Sequence, residues 1–215
     1  MEAAETTTGR RKRLRPDERR QQIIETTLIC LARDGADVTS LRSVCREAGV
    51  APSLVTHFFI RWHDLLVAAY DLLVERFMAK LTPVVQAQYP SARARMEAVI
   101  EMYLSDDWAR DSWIGASLAF WQLSRNIPEL RVAFTRYLTV RQQLLQQALG
   151  ALMDEAGVKL DIVHLTASFM LMLDGIWLEI TLSPDSIAES GVRQMCWFWL
   201  DAVLASKAQP ANAPG

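Results

Sequence analysis

Thr39-Ser-Leu-Arg-Ser-Val-Cys-Arg-Glu-Ala-Gly49-Val-Ala-Pro-Ser-Leu-Val-Thr-His-Phe-Phe59 is the stretch that decides the fold. Ser40 is a helix-capping residue type, Gly49 breaks the pattern, and Pro52 suits the first position of a second helix. Two helices this short cannot bury themselves. Leu41, Val44, Cys45 and Ala48 on the first, with Val50, Val55 and Phe59 on the second, are placed to pack on each other and on Ile24 and Leu28 upstream, closing a three-helix unit. That packing leaves Ser53, Thr56 and His57 facing outward. A major groove about 12 Å wide admits one helix, so the second helix of such a pair presents exposed side chains to base edges and phosphates. Pro52, Ser53, Leu54, Thr56 and His57 are therefore the candidate reading residues, and Ser40, Arg42 and Arg46 steady the DNA backbone. The plainer alternative is a helix pair that only packs, with His57 as part of that packing.

Outward from this stretch nearly everything carries helical period. Ile23, Ile24, Thr27, Leu28 and Leu31 mark one face of a helix over 17–33, ended by Gly35. Further helices are expected over 40–48, 52–59, 62–89 with a bend at Pro83, 91–105 and 112–125, then three starting near 128, 160 and 184. The fold class is all-α with nine helices. The expected organisation is a basic, disordered arm at 1–15, a helix-turn-helix unit at 16–62, an effector and dimerisation region at 63–208 and a frayed tail at 209–215.

The net charge of −2 conceals an asymmetry. Residues 1–64 hold 11 Lys and Arg against 9 Asp and Glu, whereas 65–215 hold 12 against 16. Seven basic residues lie between Arg10 and Arg20, and Arg10, Arg11, Lys12 and Arg13 are the densest part, an attractive field for a polyanion. A solvated tail is the alternative reading of the same run. Cys30, Cys45 and Cys196 are too few and too scattered for a disulfide or metal framework and read as buried thiols. No metal or cofactor is expected. No uninterrupted apolar run of membrane-spanning length and no secretory signal is visible, so the expected location is the cytoplasm.

Thr39-Ser40, Ala48-Gly49-Val50 and His57-Phe58-Phe59, followed by Leu65-Leu66, resemble the N-terminal signature of the TetR family of transcriptional repressors. The resemblance covers residues 17–75. It implies a dimer that binds double-stranded, palindromic operator DNA and has a divergent C-terminal effector domain. Ala51 stands where the family usually has a capping serine, Trp62 where it has a phosphate-binding lysine, and Phe58 where it has a phosphate-binding tyrosine. Pro52 offsets the missing cap, and Arg61 beside Trp62 is placed to replace the missing charge.

Four tryptophans, Trp108, Trp113, Trp121 and Trp177, lie in the middle helices. Trp113, Ser117 and Trp121 are spaced i, i+4, i+8 and share a helix face. Asp174 and Trp177 do the same at i, i+3. These six are the candidate effector-binding residues, either as an aromatic cage for a quaternary ammonium group or as ordinary core. Leu118-Ala-Phe-Trp121, Ile127-Pro-Glu-Leu130 and Leu173-Asp-Gly-Ile-Trp-Leu-Glu179 resemble the C-terminal domain of the choline-responsive repressors, with Ser117 where that group has tryptophan. That resemblance implies choline or another amine as effector; an uncharged apolar ligand is the alternative. The last two helices, apolar on most sides (Val163, Ala167, Met170, Leu171, Ile176 and Ile180; Val192, Met195, Cys196, Trp199 and Val203), are expected to pair two copies as a four-helix bundle, with His164 and Trp197 at the interface. Ligand among the tryptophans would shift the helix over 62–89 and with it the spacing of the two recognition helices. The rival of another class is a helical enzyme using Asp106, Asp107 and Asp111, for which no catalytic motif is present.

Overall fold

The computed structural model describes residues 14–105, 113–182 and 189–206. Among these residues there are nine helices and no strand: α1 (Pro16–Asp34), α2 (Leu41–Ala48), α3 (Pro52–Phe58), α4 (Trp62–Gln86), α5 (Ala92–Tyr103), α6 (Trp113–Ser124), α7 (Pro128–Ala156), α8 (Ile162–Leu182) and α9 (Glu189–Ala205).

Local chemistry sets most of the boundaries. Pro16 opens α1, and Glu18 Oε2 accepts the Arg15 backbone N–H at 2.8 Å. Ser40 Oγ accepts from Ser43 N at 3.2 Å and caps α2. Gly49 ends α2 in the left-handed region (φ 64°, ψ 40°), where a Cβ is strained, so a glycine belongs there. The Val50 N–H then turns back to Cys45 O at 3.0 Å. α3 starts on Pro52 with no side-chain cap, as Ala51 dictates. α8 begins two residues later than 160 because Asp161 Oδ1 accepts from Val163 N (2.8 Å) and His164 N (3.2 Å), making Asp161 the cap. α4 runs through Pro83 but stops at Gln86, three residues short of the expected end, with the chain extended at Ala87. The expected start of the last helix near 184 lies outside the described residues.

α2 and α3 pack on α1 through Val44, Cys45, Ala48, Val55 and Phe59, all buried against Ile23, Ile24, Leu28 and Leu31. Leu41 and Val50 are half-buried at the edge of this unit. Thr27 is fully buried without cost because its hydroxyl donates to Ile23 O at 2.8 Å. α4 then runs between this unit and the rest of the molecule, packing on α1, α5, α6 and α7. Phe77, in its middle, is fully buried and stacks on Trp113 (centroids 5.1 Å apart) while meeting Tyr103, Tyr137 and Trp177 edge-on. Edge-to-face and offset rings of this kind add stability beyond their buried area.

Ile162–Ile180 has a mean hydropathy of 1.3 and the length of a membrane span. Those apolar residues divide between two surfaces. Leu165, Phe169, Leu173, Ile176 and Trp177 enter the core, whereas Val163, Leu171, Leu178 and Leu182 form an exposed stripe, with Leu171 at 72% exposure. On α9, Val192, Cys196, Leu200 and Val203 are core, while Met195 and Phe198 (77% exposed) continue the stripe. Of the residues expected on a dimer face, Ile176, Val192, Cys196 and Val203 are thus core within one chain. The three cysteines are free and buried; burial raises the Cys30 and Cys45 thiols and pushes Cys196 up to about 11.

Candidate DNA-reading helix and effector cavity

On α3, Pro52, Ser53, Thr56 and His57 are exposed and Leu54 is half-buried. Thr56 Oγ1 donates to Ser53 O at 3.1 Å, leaving its lone pairs outward, and the His57 ring stands edge-on to Phe58 at 5.3 Å. Ser40 is exposed but engaged in capping α2, and Arg42 is exposed on the first turn of that helix. Arg20 lies over the Phe59 ring, 5.0 Å from its centroid, a contact of the basic run with the helix pair that the sequence reading missed. Arg61 does more than offer a charge: Nη2 donates to Asp64 Oδ1 at 2.7 Å and Nη1 to Glu129 Oε1 at 2.8 Å. A phosphate there would compete with two carboxylates. Arg10, Arg11, Lys12 and Arg13 lie outside the described residues.

The second locality is a narrow cavity of about 30 Å³ between α4, α6, α7 and α8. Trp113, Ser117, Trp121, Asp174 and Trp177 all line it. The i, i+4, i+8 face of α6 and the i, i+3 pair of α8 therefore meet at one cavity. Trp108, Asp106, Asp107 and Asp111 lie outside the described residues, and no cluster of metal-ligating side chains occurs among those described. The inner rings are pinned: Trp113 by Phe77, and Trp177 by Phe77, by Tyr103 at 5.3 Å and through Nε1 donating to Tyr103 O at 3.0 Å. Trp121, half-buried in the cavity wall, makes no ring contact among the described residues.

The residue that sequence reasoning missed is Arg141. It reaches the cavity from α7 with 3% of its side chain exposed and donates from Nη2 to both Asp174 oxygens at 2.9 Å. Burial works against its charge, but the Asp174 carboxylate that it meets counters this and the guanidinium stays protonated. Asp174 therefore lines the cavity already paired with an arginine. Tyr70 and Tyr137, also cavity walls, have hydroxyls pushed up by burial and remain neutral.

Two walls of this cavity touch the helix pair's own support. α6 packs on α1 so closely that a Cβ on Gly115 would stand 2.7 Å from Ala32 O. Gln122 Nε2 on the same helix donates to Asp37 Oδ1 at 2.8 Å. α4 places Tyr70, Leu73 and Val74 in the cavity wall while its N-terminus, at Arg61, is tied to α7 by Glu129.

Residues 92–205, just over half of the chain, match the family described as the C-terminal domain of BetI-type transcriptional repressors. The chain belongs to the BetI-type branch of the TetR family. A transcriptional regulator of Pseudomonas aeruginosa PAO1 is similar to this repressor over 90% of the chain and 93% of its own, with 31% identity and a TM-score of 0.81. The HTH-type transcriptional regulator BetI of Vibrio campbellii is 28% identical over 194 residues, covering 88% of this chain and 94% of the relative. A regulator from Saccharomonospora viridis, solved in complex with choline, shares the fold at TM-score 0.69 with 20% identity, covering 86% and 96% of the two chains. This TetR-family member is thus a transcriptional regulator.

Proposed function

We propose that this BetI-type repressor binds palindromic operator DNA as a homodimer in the cytoplasm and changes its affinity when a small quaternary amine such as choline enters the α4–α6–α7–α8 cavity. Residues 16–62 are its DNA-reading unit and 63–208 its effector and dimerisation region. Ser53, Thr56 and His57, flanked by Pro52 and Leu54, read the groove, while Ser40, Arg42 and the arm at Arg10, Arg11, Lys12 and Arg13 position the backbone. Trp113, Ser117, Trp121 and Trp177 hold the ligand, and Trp108 is a further candidate contact. The stripe from Val163 to Leu182, with Met195 and Phe198, pairs two copies.

The observation that carries this reading is that two helices of the cavity wall, α4 and α6, pack directly on α1 of the DNA-reading unit. α6 presents Trp113, Ser117 and Trp121 to the ligand and packs backbone against backbone on α1 at Gly115. A ligand that spreads α6 from α7 must move α1 or α4, and the spacing of two recognition helices is what an operator measures. A hundredfold change in operator affinity requires a differential ligand affinity of about 3 kcal/mol between the two states. The BetI name of the relatives and the choline held by the Saccharomonospora viridis regulator support the amine. The neutralisation of Asp174 by Arg141 favours, as the second reading, an uncharged apolar ligand.

The test is fluorescence anisotropy of labelled DNA from this gene's upstream region, titrated with protein at two salt concentrations, with and without choline. Specific, salt-dependent binding weakened by choline is the expected result. Binding indifferent to choline overturns the amine, and the lack of specific binding overturns the DNA-reading role.

A further inference from the structure

Arg141 has more hydrogen-bonding capacity than its surroundings use. A guanidinium carries five N–H donors, yet both bonds to Asp174 leave from the single nitrogen Nη2. Nη1 has only the Tyr137 hydroxyl at 3.4 Å, and Nε is buried with no acceptor. An arginine that met its carboxylate fork to fork would use two nitrogens; this one meets it end-on and keeps its Nε side unused. The Tyr70 hydroxyl, a wall of the same cavity, is also buried and without a partner. Leaving buried donors unsatisfied is costly, and such groups commonly mark where a ligand binds.

We infer that the effector is a zwitterion, a quaternary ammonium carboxylate, whose carboxylate is held at the deep end of the cavity by Arg141 and Tyr70 and whose ammonium lies outward against Trp121 and Asp174. The inference rests on the amine reading above and adds to it the anionic half of the ligand. Depth sets the orientation: Arg141 is 3% exposed, whereas Asp174 is 26% exposed and Trp121 half-buried. Charge balance points the same way. The Arg141–Asp174 pair is neutral, so a simple cation would leave one uncompensated positive charge in a desolvated pocket, beside a guanidinium. A zwitterion adds none. Its carboxylate takes the spare Arg141 donors, and its ammonium receives the Asp174 oxygens and an indole face.

Isothermal titration of the full-length protein with four probes decides this: trimethylglycine, 4-(trimethylammonio)butanoate, choline, and 3,3-dimethylbutanoate, which keeps the shape of trimethylglycine with carbon in place of the quaternary nitrogen. One of the two trimethylammonio carboxylates is expected to bind about tenfold or more tighter than choline and than 3,3-dimethylbutanoate. In Arg141→Lys its advantage over choline is expected to collapse; if that variant does not fold, Tyr70→Phe, which removes one hydroxyl, reads the same preference, and the wild-type comparison stands without any variant. Choline binding as tightly as the carboxylates overturns the inference and leaves the amine reading standing. 3,3-Dimethylbutanoate matching them shows that the positive charge is not read and overturns both. No binding by any of the four overturns both as well.

Discussion

At the scale of single residues, the cavity sorts its tryptophans by what else they touch. Trp177 is buried, hydrogen-bonded to Tyr103 O and packed on two rings, so Trp177→Ala is expected to lose about 3–5 kcal/mol of stability, visible as an earlier denaturation midpoint. Trp121 is half-buried and makes no ring contact among the described residues. Trp121→Ala is therefore expected to weaken amine binding about tenfold, from a cation–π loss of about 1–2 kcal/mol, while melting temperature and DNA affinity change little. Titration calorimetry beside a thermal melt checks both halves. A collapse of the fold on removing Trp121 would make it a core residue instead.

Helix against helix, the tightest point is the crossing of α6 over α1. Glycine at 115 lets the two backbones meet; the methyl of Gly115→Ala would lie 2.7 Å from a backbone oxygen that cannot swing away. The substitution is expected to cost about 1–3 kcal/mol and to change operator affinity in the absence of ligand, measured by denaturant unfolding and by anisotropy. Unchanged stability and affinity would mean that the crossing relaxes and transmits nothing. The second tie is Arg61 between Asp64 and Glu129. The side-chain and backbone hydrogen bonds of Arg61 hold Asp64 below its ordinary range, and Glu129, at the start of α7, is held low first by its own backbone N–H and then by Arg61. With folded values depressed, the tie is complete above the ordinary carboxylate range and is lost as pH falls through the folded values. Exposed pairs add little stability, so Glu129→Gln should leave the melting temperature nearly unchanged. Its expected effect is on the ligand-induced change in DNA affinity, and an unaltered change would remove this tie from the switch.

For the molecule as a whole, the exposed apolar stripe on α8 and α9 is a feature that one chain leaves unsatisfied. Leu171 and Phe198, the most exposed members, stand in the proposed two-fold interface. Leu171→Glu with Phe198→Glu is expected to convert a dimer to a monomer in sedimentation equilibrium and to reduce operator affinity by about two orders of magnitude or more, because a single half-site then binds alone. Leu178 belongs to both the exposed stripe and the cavity wall. A double variant that stays dimeric would move the interface elsewhere.

Periodicity, caps and breakers determined the helices. Ser40, Gly49 and Pro52 act within a turn or two of themselves, and the faces of α1, α6 and α8 follow from a 3.6-residue repeat, so all of these were legible in the chain as written. The convergence of Trp113, Ser117 and Trp121 was legible for the same reason. Only the tertiary structure decided what crosses between helices. Arg141 sits in a polar run that reads as surface, and it is buried because α7 and α8 bring it to Asp174, 33 residues further along. Gly115 reads as an ordinary glycine until α6 lies on Ala32. Local order is written in neighbouring residues, whereas pairing between distant ones depends on where packed helices cross, and no short stretch of sequence contains that.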